Sequence, residues 1–361
     1  MKSLPESSAG EGTPAKNHLA WIDLLRVVAI FQVILIHVSF PVIGKEELSQ
    51  SYRLAANFYD AFSRASVPLF FMVSGYLLLG RDEPVTNFLY RRFVKVGIPA
   101  VAWTAVYLIR HQEAYRDGSM NILRIGLSMV KAVFGGHVEI HLWFVYVLMG
   151  LYLAMPILRV LVSSSPFLLN YFLALWLLAN PFFSLLGRIS GETVDASLRL
   201  FLVEGYAGFL VLGYVLGQWT LPARGRWVAL ITFLAAAFAV YAGTNALSAQ
   251  AGYFDDFLYD YLGFPVILMS ASFFLWFKSL DKVLSGRRMS FLKHLSDASF
   301  GIYLVHILVQ EGLRKGWFGF SLYSWMGPPI YMIPLTGLAV FMISFGIVFV
   351  MKRIPVLKYA V

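Results

Sequence analysis

Apolar runs about 20 residues long recur along this chain from end to end, and each is long enough to cross a hydrocarbon layer as a helix. A segment in hydrocarbon finds no water for its backbone, and an α-helix closes those hydrogen bonds within itself. Composition points the same way. The 361 residues are 59% hydrophobic and only 14% charged, where soluble domains carry roughly a quarter. The expected fold class is all-α, a polytopic membrane protein with about ten transmembrane helices. The windows fall at 21–42, 58–80, 92–110, 140–162, 167–187, 199–219, 227–247, 258–278, 298–315 and 329–351. A shorter stretch, 121–134, carries Arg124 and Lys131 and reads as an interfacial amphipathic helix in a long loop.

An even number of spans leaves both termini on one side, and Lys and Arg choose which. Most of those in short loops fall on the side of the N-terminus, the strongest anchor being loop 278–293 with Lys282, Arg287 and Arg288. This gives an N-in, C-in arrangement. The formal charge of +9 is then a topology signal, and no nucleic-acid partner is expected. The absence of cysteine excludes acyl-cysteine intermediates, disulfides and thiolate metal sites. Residues 1–20, rich in Ser, Gly, Pro and Glu, read as a flexible cytoplasmic tail without a signal peptide. Residues 21–351 form one transmembrane domain, and 352–361 a short cytoplasmic tail.

The first span contains RVVAIFQVILIH, which places Arg26 and His37 eleven residues apart. About three helical turns separate them, a rise of about 16 Å with an offset of roughly 20°, so both share one face. Asp23, three residues before Arg26, can meet the guanidinium on that face. Ionisable groups are costly in hydrocarbon and usually functional. The plainer reading is an arginine that snorkels and a histidine that bonds a neighbouring helix. With the N-terminus inside, the same face offers an anion clamp toward the cytosol and a neutral base toward the outer half.

Other spans add polar groups. SRASVPLFFMVSGYLLLG holds Arg64, Ser74, Gly75 and Tyr76, and its Ser-Gly pair also suits simple close packing of helices. YRRFVKVGIPA sets Arg91, Arg92 and Lys95 at the cytoplasmic start of the third span, as topology anchors or as phosphate ligands. HLWFVYV puts His141 and Trp143 at the external interface, and Glu204 lies toward the outer end of the sixth span. In SFGIYLVH, Tyr303 and His306 stand three apart near mid-membrane. There is no Gly-rich phosphate loop, no HExxH and no GxSxG. No metal is expected, because no histidine has a carboxylate or second histidine at ligand spacing. No internal duplication is visible, which weighs against a transporter built from inverted repeats.

Taken in order, Arg26-x10-His37, VPLFFMVSGY, RRxxK before Pro99, HLW and SFGIYLVH resemble the acyltransferase-3 family. Its members are integral membrane enzymes that move acyl groups from acyl-coenzyme A onto sugars and other hydroxyl acceptors. The WIDLLR, SRASVPLFFMVSGYL and HLWF stretches look most like the branch containing the enterobacterial common antigen O-acetyltransferase. The similarity runs from Trp21 to about Met351. It implies that Arg26 and His37 are essential and that Arg91, Arg92 and Lys95 contact coenzyme A. It also implies a multi-pass protein of the bacterial cell (inner) membrane. Two departures stand out: residues 144–150 lack the acid many members carry after the HxW-type motif, and Lys95 stands where many have Arg.

The expected function is therefore a membrane O-acyltransferase, most simply an O-acetyltransferase, with acetyl-CoA or another acyl-CoA as donor. The acceptor is a glycan or lipid-linked sugar. His37, with Arg26 and Asp23, would do the chemistry, since imidazole titrates near operating pH. Donor phosphates would sit on Arg26, Arg91, Arg92 and Lys95. Arg64, Ser74, Tyr76, His141, Trp143, Glu204, Tyr303 and His306 are candidates for substrate contact, with Tyr76, His141 or Tyr303 as oxyanion donor and Trp143 stacking on a sugar ring. The rival is a proton-coupled transporter or flippase of a lipid-linked sugar, with His37 and His306 as the relay.

Overall fold

A computed structural model describes residues 19–45, 47–111, 122–135, 138–192, 195, 199–284 and 289–361. Every regular element among them is helical. Chain order begins with α1 (Ala20–Ile43), α2 (Gln50–Ser63), α3 (Ser66–Leu78) and α4 (Val85–Arg92). A π-helical turn (Phe93–Gly97) leads into α5 (Ile98–His111), followed by α6 (Ile122–Gly135), α7 (Trp143–Ser164) and α8 (Pro166–Leu177). A second π-helical turn (Leu178–Phe182) leads to α9 (Phe183–Ser190), then α10 (Ala207–Gln218), α11 (Gly225–Ala251), α12 (Phe264–Ser279), α13 (Ser290–Lys315) and α14 (Pro329–Met351).

Eight helical runs among the described residues are long and apolar enough to cross a membrane, and the chain is a polytopic all-helical membrane protein. Two of the ten expected windows do not meet that measure. Helix α10 is apolar but only 12 residues long. Helix α13 has the length but carries Lys293, Asp297, Glu311, Arg314 and Lys315. The window expected at 199–219 shrinks to α10, so Arg199 and Glu204 lie in the irregular segment before it. The amphipathic stretch appears as α6. Arg287, Arg288 and most of the expected N-terminal tail lie outside the described residues.

Prolines decide where this bundle bends and what it must repair. Pro99 and Pro181 each lack the N–H that would return to the previous turn, and both π-helical turns lie at these positions. Pro334 likewise frees the carbonyl of Ile330, and the Tyr59 hydroxyl donates to that oxygen at 2.5 Å. Such rescue by a neighbouring helix is what makes proline tolerable inside a membrane.

Helix α1 is the hub, flanked by α2, α3, α12, α13 and α14. Of its apolar window 61% is buried, against 17% for the Pro166–Ser190 run, which therefore lies at the periphery. Where α3 crosses α10 the backbones touch. A Cβ on Gly75 would fall 1.9 Å from the Leu210 carbonyl oxygen, and one on Gly213 would fall 2.2 Å from that of Met72. Small residues that admit such approach are the usual currency of helix packing in lipid. The C-terminal residues expected as a tail instead fold back against the bundle. The indole of Trp103 donates to the Ala360 carbonyl at 2.8 Å, because that short 3-10 turn (Leu357–Ala360) presents its carbonyls to α5.

Gly75→Val should force α3 and α10 apart, an overpacking cost of about 1–3 kcal/mol. The check is thermal unfolding of the detergent-solubilised protein beside Gly150→Ala, whose added methyl meets nothing within 4 Å. Equal melting of the two variants would remove the close crossing.

Candidate active site

At the end of the bundle where α1 begins, Arg26 lines a cavity of about 550 Å³ together with Arg92, Lys95, Lys358, Asp297 and Ser74. Asp23, Asp297 and Arg92 are the charges that act on its guanidinium. The π-helical turn before Pro99 carries Lys95 into this cavity beside Arg92. Arg91 points elsewhere: its side chain is 64% exposed and pairs with Glu83 at 3.1 Å. Successive helix positions differ by about 100°, so Arg91 and Arg92 cannot share a face. Ser74 donates to the Phe70 carbonyl at 2.9 Å while lining the same space.

Further along α1, His37 meets two other histidines. Ring centroids are 5.1 Å apart for His37 and His306, 5.1 Å for His141 and His306, and 6.3 Å for His37 and His141. Three elements deliver them: α1, α13 and the turn that opens α7. His141, expected at an external interface, is only 1% exposed. Tyr107 closes over it with a centroid separation of 5.1 Å and donates to the Leu304 carbonyl at 2.8 Å. The Tyr303 hydroxyl donates to the His141 carbonyl and so ties that turn to α13. His306 places Nδ1 2.6 Å from the Tyr303 carbonyl, which in a neutral ring puts the proton on Nδ1 and leaves Nε2 as an acceptor. Among the described residues no group of three His, Cys, Asp or Glu side chains has metal-binding geometry.

The position of His37 is set by a break in its own helix. Pro41 has no N–H to give the His37 carbonyl, and the Gln310 side-chain amide supplies the missing donor at 2.8 Å. At the next residue, Ser324 donates to the Val38 carbonyl at 2.7 Å. Neither Gln310 nor Ser324 belongs to a sequence motif. The readable signals were Pro41 four residues after His37, and Gln310 four residues after His306 on the same helix.

A second cavity, of about 190 Å³, is lined by His37, His141, Arg64, Trp143, Tyr261 and Tyr303. It shares two residues, Phe144 and Tyr303, with the Arg26 cavity. Their ring centroids lie 5.3 Å apart. Arg26 and His37 thus line adjoining spaces divided by one aromatic wall. Arg64 is held by an ion pair with buried Asp60 and lies 3.9 Å above the Tyr259 ring. A buried cation without such a partner would be prohibitive, yet Asp60 gave no sequence signal beyond its spacing of four.

Two candidates lie apart from this group. Tyr76 packs between Trp21 and Phe274, with centroids at 5.5 and 6.3 Å, and lines none of these cavities. Glu204 pairs with Arg199, the shorter contact being 2.6 Å, and faces a separate cavity with Arg188 and Asp260.

No curated protein and no solved structure matches the chain. A family model described as an acyltransferase domain, Acyl_transf_3, matches residues 19–352, which include every helix from α1 to α14. With Arg26 and His37 of α1 turned into cavities inside an all-helical membrane bundle, the chain belongs to the acyltransferase-3 family and is a membrane acyltransferase.

Proposed function

We propose that this acyltransferase moves an acyl group, most simply acetyl, from cytosolic acyl-CoA to a hydroxyl of a glycan or lipid-linked sugar. Its setting would be the inner membrane of a bacterium. The acetyl and glycan parts of this reading rest only on the resemblance of the WIDLLR, SRASVPLFFMVSGYL and HLWF stretches to the enterobacterial common antigen O-acetyltransferase branch. The observation that carries the rest is the pair of adjoining cavities, one cationic around Arg26 and one imidazole-lined around His37, sharing the Phe144–Tyr303 wall.

The larger cavity has the volume of an ordinary ligand site, about 300–1,000 Å³. Arg26, Arg92, Lys95 and Lys358 line it and suit the phosphates of coenzyme A, with arginine offering paired donors. The pantetheine arm then runs along α1 past Phe144 and Tyr303. At His37 the imidazole takes the proton of the acceptor hydroxyl as its oxygen bonds to the thioester carbonyl carbon. The carbon–sulfur bond breaks, and the coenzyme A thiolate leaves, to be protonated by the imidazolium or by water. His306, its ring tilted 48° against that of His37, and Gln310, bonded to the His37 carbonyl, hold the ring in place. Tyr303, with its hydroxyl committed to the His141 carbonyl, acts as a positioning residue. Tyr76 and Glu204 have no part in the reaction, and Arg91 is a surface charge.

His37→Ala should lower transfer by at least about 10²–10⁴-fold, the usual worth of a general base. Coenzyme A should still bind the purified variant. Radiolabelled acetyl transfer and calorimetric titration with coenzyme A read the two quantities, and lost binding in a folded variant would overturn the assignment. Arg92→Gln should raise the KM for acetyl-CoA by about tenfold, the value of one charge-assisted contact, while Arg91→Gln leaves it within about twofold. Equal effects would mean that the cavity lining does not describe donor binding. Substrate flux across proteoliposomes without thioester cleavage would favour the transport reading.

A further inference from the structure

His37 faces a third space that none of the motifs described. A cavity of about 300 Å³ lies at the end of the bundle where α1 finishes, opposite the Arg26 cavity. Gln310 and Glu311 of α13, Thr336 of α14, and Tyr323 and Trp325 of the segment between those helices line it with His37. It reaches the surface at exposed Arg314.

This space is built rather than left over. The segment that roofs it is pinned on either side of Tyr323. Leu322 N–H donates to the Leu313 carbonyl at 3.0 Å and Ser324 to the Val38 carbonyl at 2.7 Å. Lys45 lies 5.1 Å from the Trp325 ring centroid, and Tyr323 packs against Trp325 with centroids 5.0 Å apart. Its inner ions are matched: Arg110 pairs with Glu139 at 3.3 Å and with Glu311, and Lys315 pairs with Glu311 at 2.6 Å, while Arg314 at the mouth faces solvent. Two lining atoms have no partner at all. Thr336, 2% exposed, leaves Oγ1 unbonded, and Gln310 leaves its amide oxygen unbonded. Buried polar atoms of this kind cost free energy unless a ligand or water meets them.

We propose that this cavity is the acceptor subsite and holds a single pyranose ring, with Trp325, Thr336 and Gln310 choosing which sugar hydroxyl reaches His37. The inference rests on the acyltransfer reading above. The volume suits one sugar ring and leaves no room for a second. Trp325 offers an aromatic plane for the apolar face of the ring. Thr336 Oγ1 and the Gln310 amide oxygen meet its hydroxyls, and the Arg110–Glu311 pair adds directional contacts without demanding an anionic ligand. The donor arrives from one side and the acceptor from the other, and both reach the same edge of the imidazole, where the hydroxyl bonded to His37 meets the thioester carbon directly. Arg64 and Trp143, in the space shared with Tyr303, then face the thioester end rather than the sugar.

The test uses the full chain in detergent with acetyl-CoA and a panel of methyl glycosides differing in hydroxyl configuration. Trp325→Ala should raise the KM for the preferred glycoside by about tenfold while the KM for acetyl-CoA stays within about twofold, and Trp325→Phe should restore most of the loss. Thr336→Val should change the order of preference among glycosides. An unchanged glycoside KM in Trp325→Ala together with an unchanged preference in Thr336→Val would overturn the subsite. A rise in the acetyl-CoA KM in its place would do the same. If the wild-type protein cleaves no acetyl-CoA, the donor reading falls. The subsite is then decided by thermal stabilisation: methyl glycosides should stabilise the wild type and not Trp325→Ala, and no stabilisation of the wild type would overturn it.

Discussion

The bond from the Gln310 amide to the His37 carbonyl is the contact on which the site depends. In lipid an orphaned backbone carbonyl costs several kcal/mol, and Pro41 creates one exactly a turn before it in α1. A donor had to come from a neighbouring helix, and α13 supplies it. The same stretch of α13 carries Tyr303 and His306, so the repair of one broken turn also brings two histidines and a tyrosine together. Ser324 secures the next carbonyl. The reactive end of α1 is thus clamped by the segments that form the walls of its cavities.

Charge is arranged on the same principle. Cations that enter the bundle come with their partners, Arg64 with Asp60 and Arg110 with Glu139 and Glu311. Breaking such a pair leaves an uncompensated buried charge, which is far costlier than the pair itself is stabilising. The Arg26 cavity differs. There Arg26, Arg92, Lys95 and Lys358 gather around Asp297, an excess of positive charge suited to a polyanionic ligand. That contrast separates the cations that build the bundle from those that line an open cavity.

Space along α1 is divided in sequence: a cationic cavity, an aromatic wall of Phe144 and Tyr303, a small imidazole-lined space, and a polar cavity beyond His37. On the proposed reading, this division lets a donor and an acceptor be held in separate spaces that meet at the His37 ring.

Much of this was legible in the chain before any coordinates. Runs of apolar residues require helices in lipid, an eleven-residue spacing requires Arg26 and His37 to share a face, and five ordered motifs name the family. Helical geometry itself does not depend on neighbours. Which residues come together from different helices does depend on them, and there the sequence was silent or misleading. Arg91 and Arg92 are adjacent in the chain yet face different ways. Tyr76 sits in a recognisable motif yet packs on Trp21, and Glu204 lies before a helix that was expected to contain it. Gln310, Asp60, Thr336 and Trp325 belong to no pattern. Only packing decides that a proline in one helix takes an amide from another, and that decision places the His37 ring.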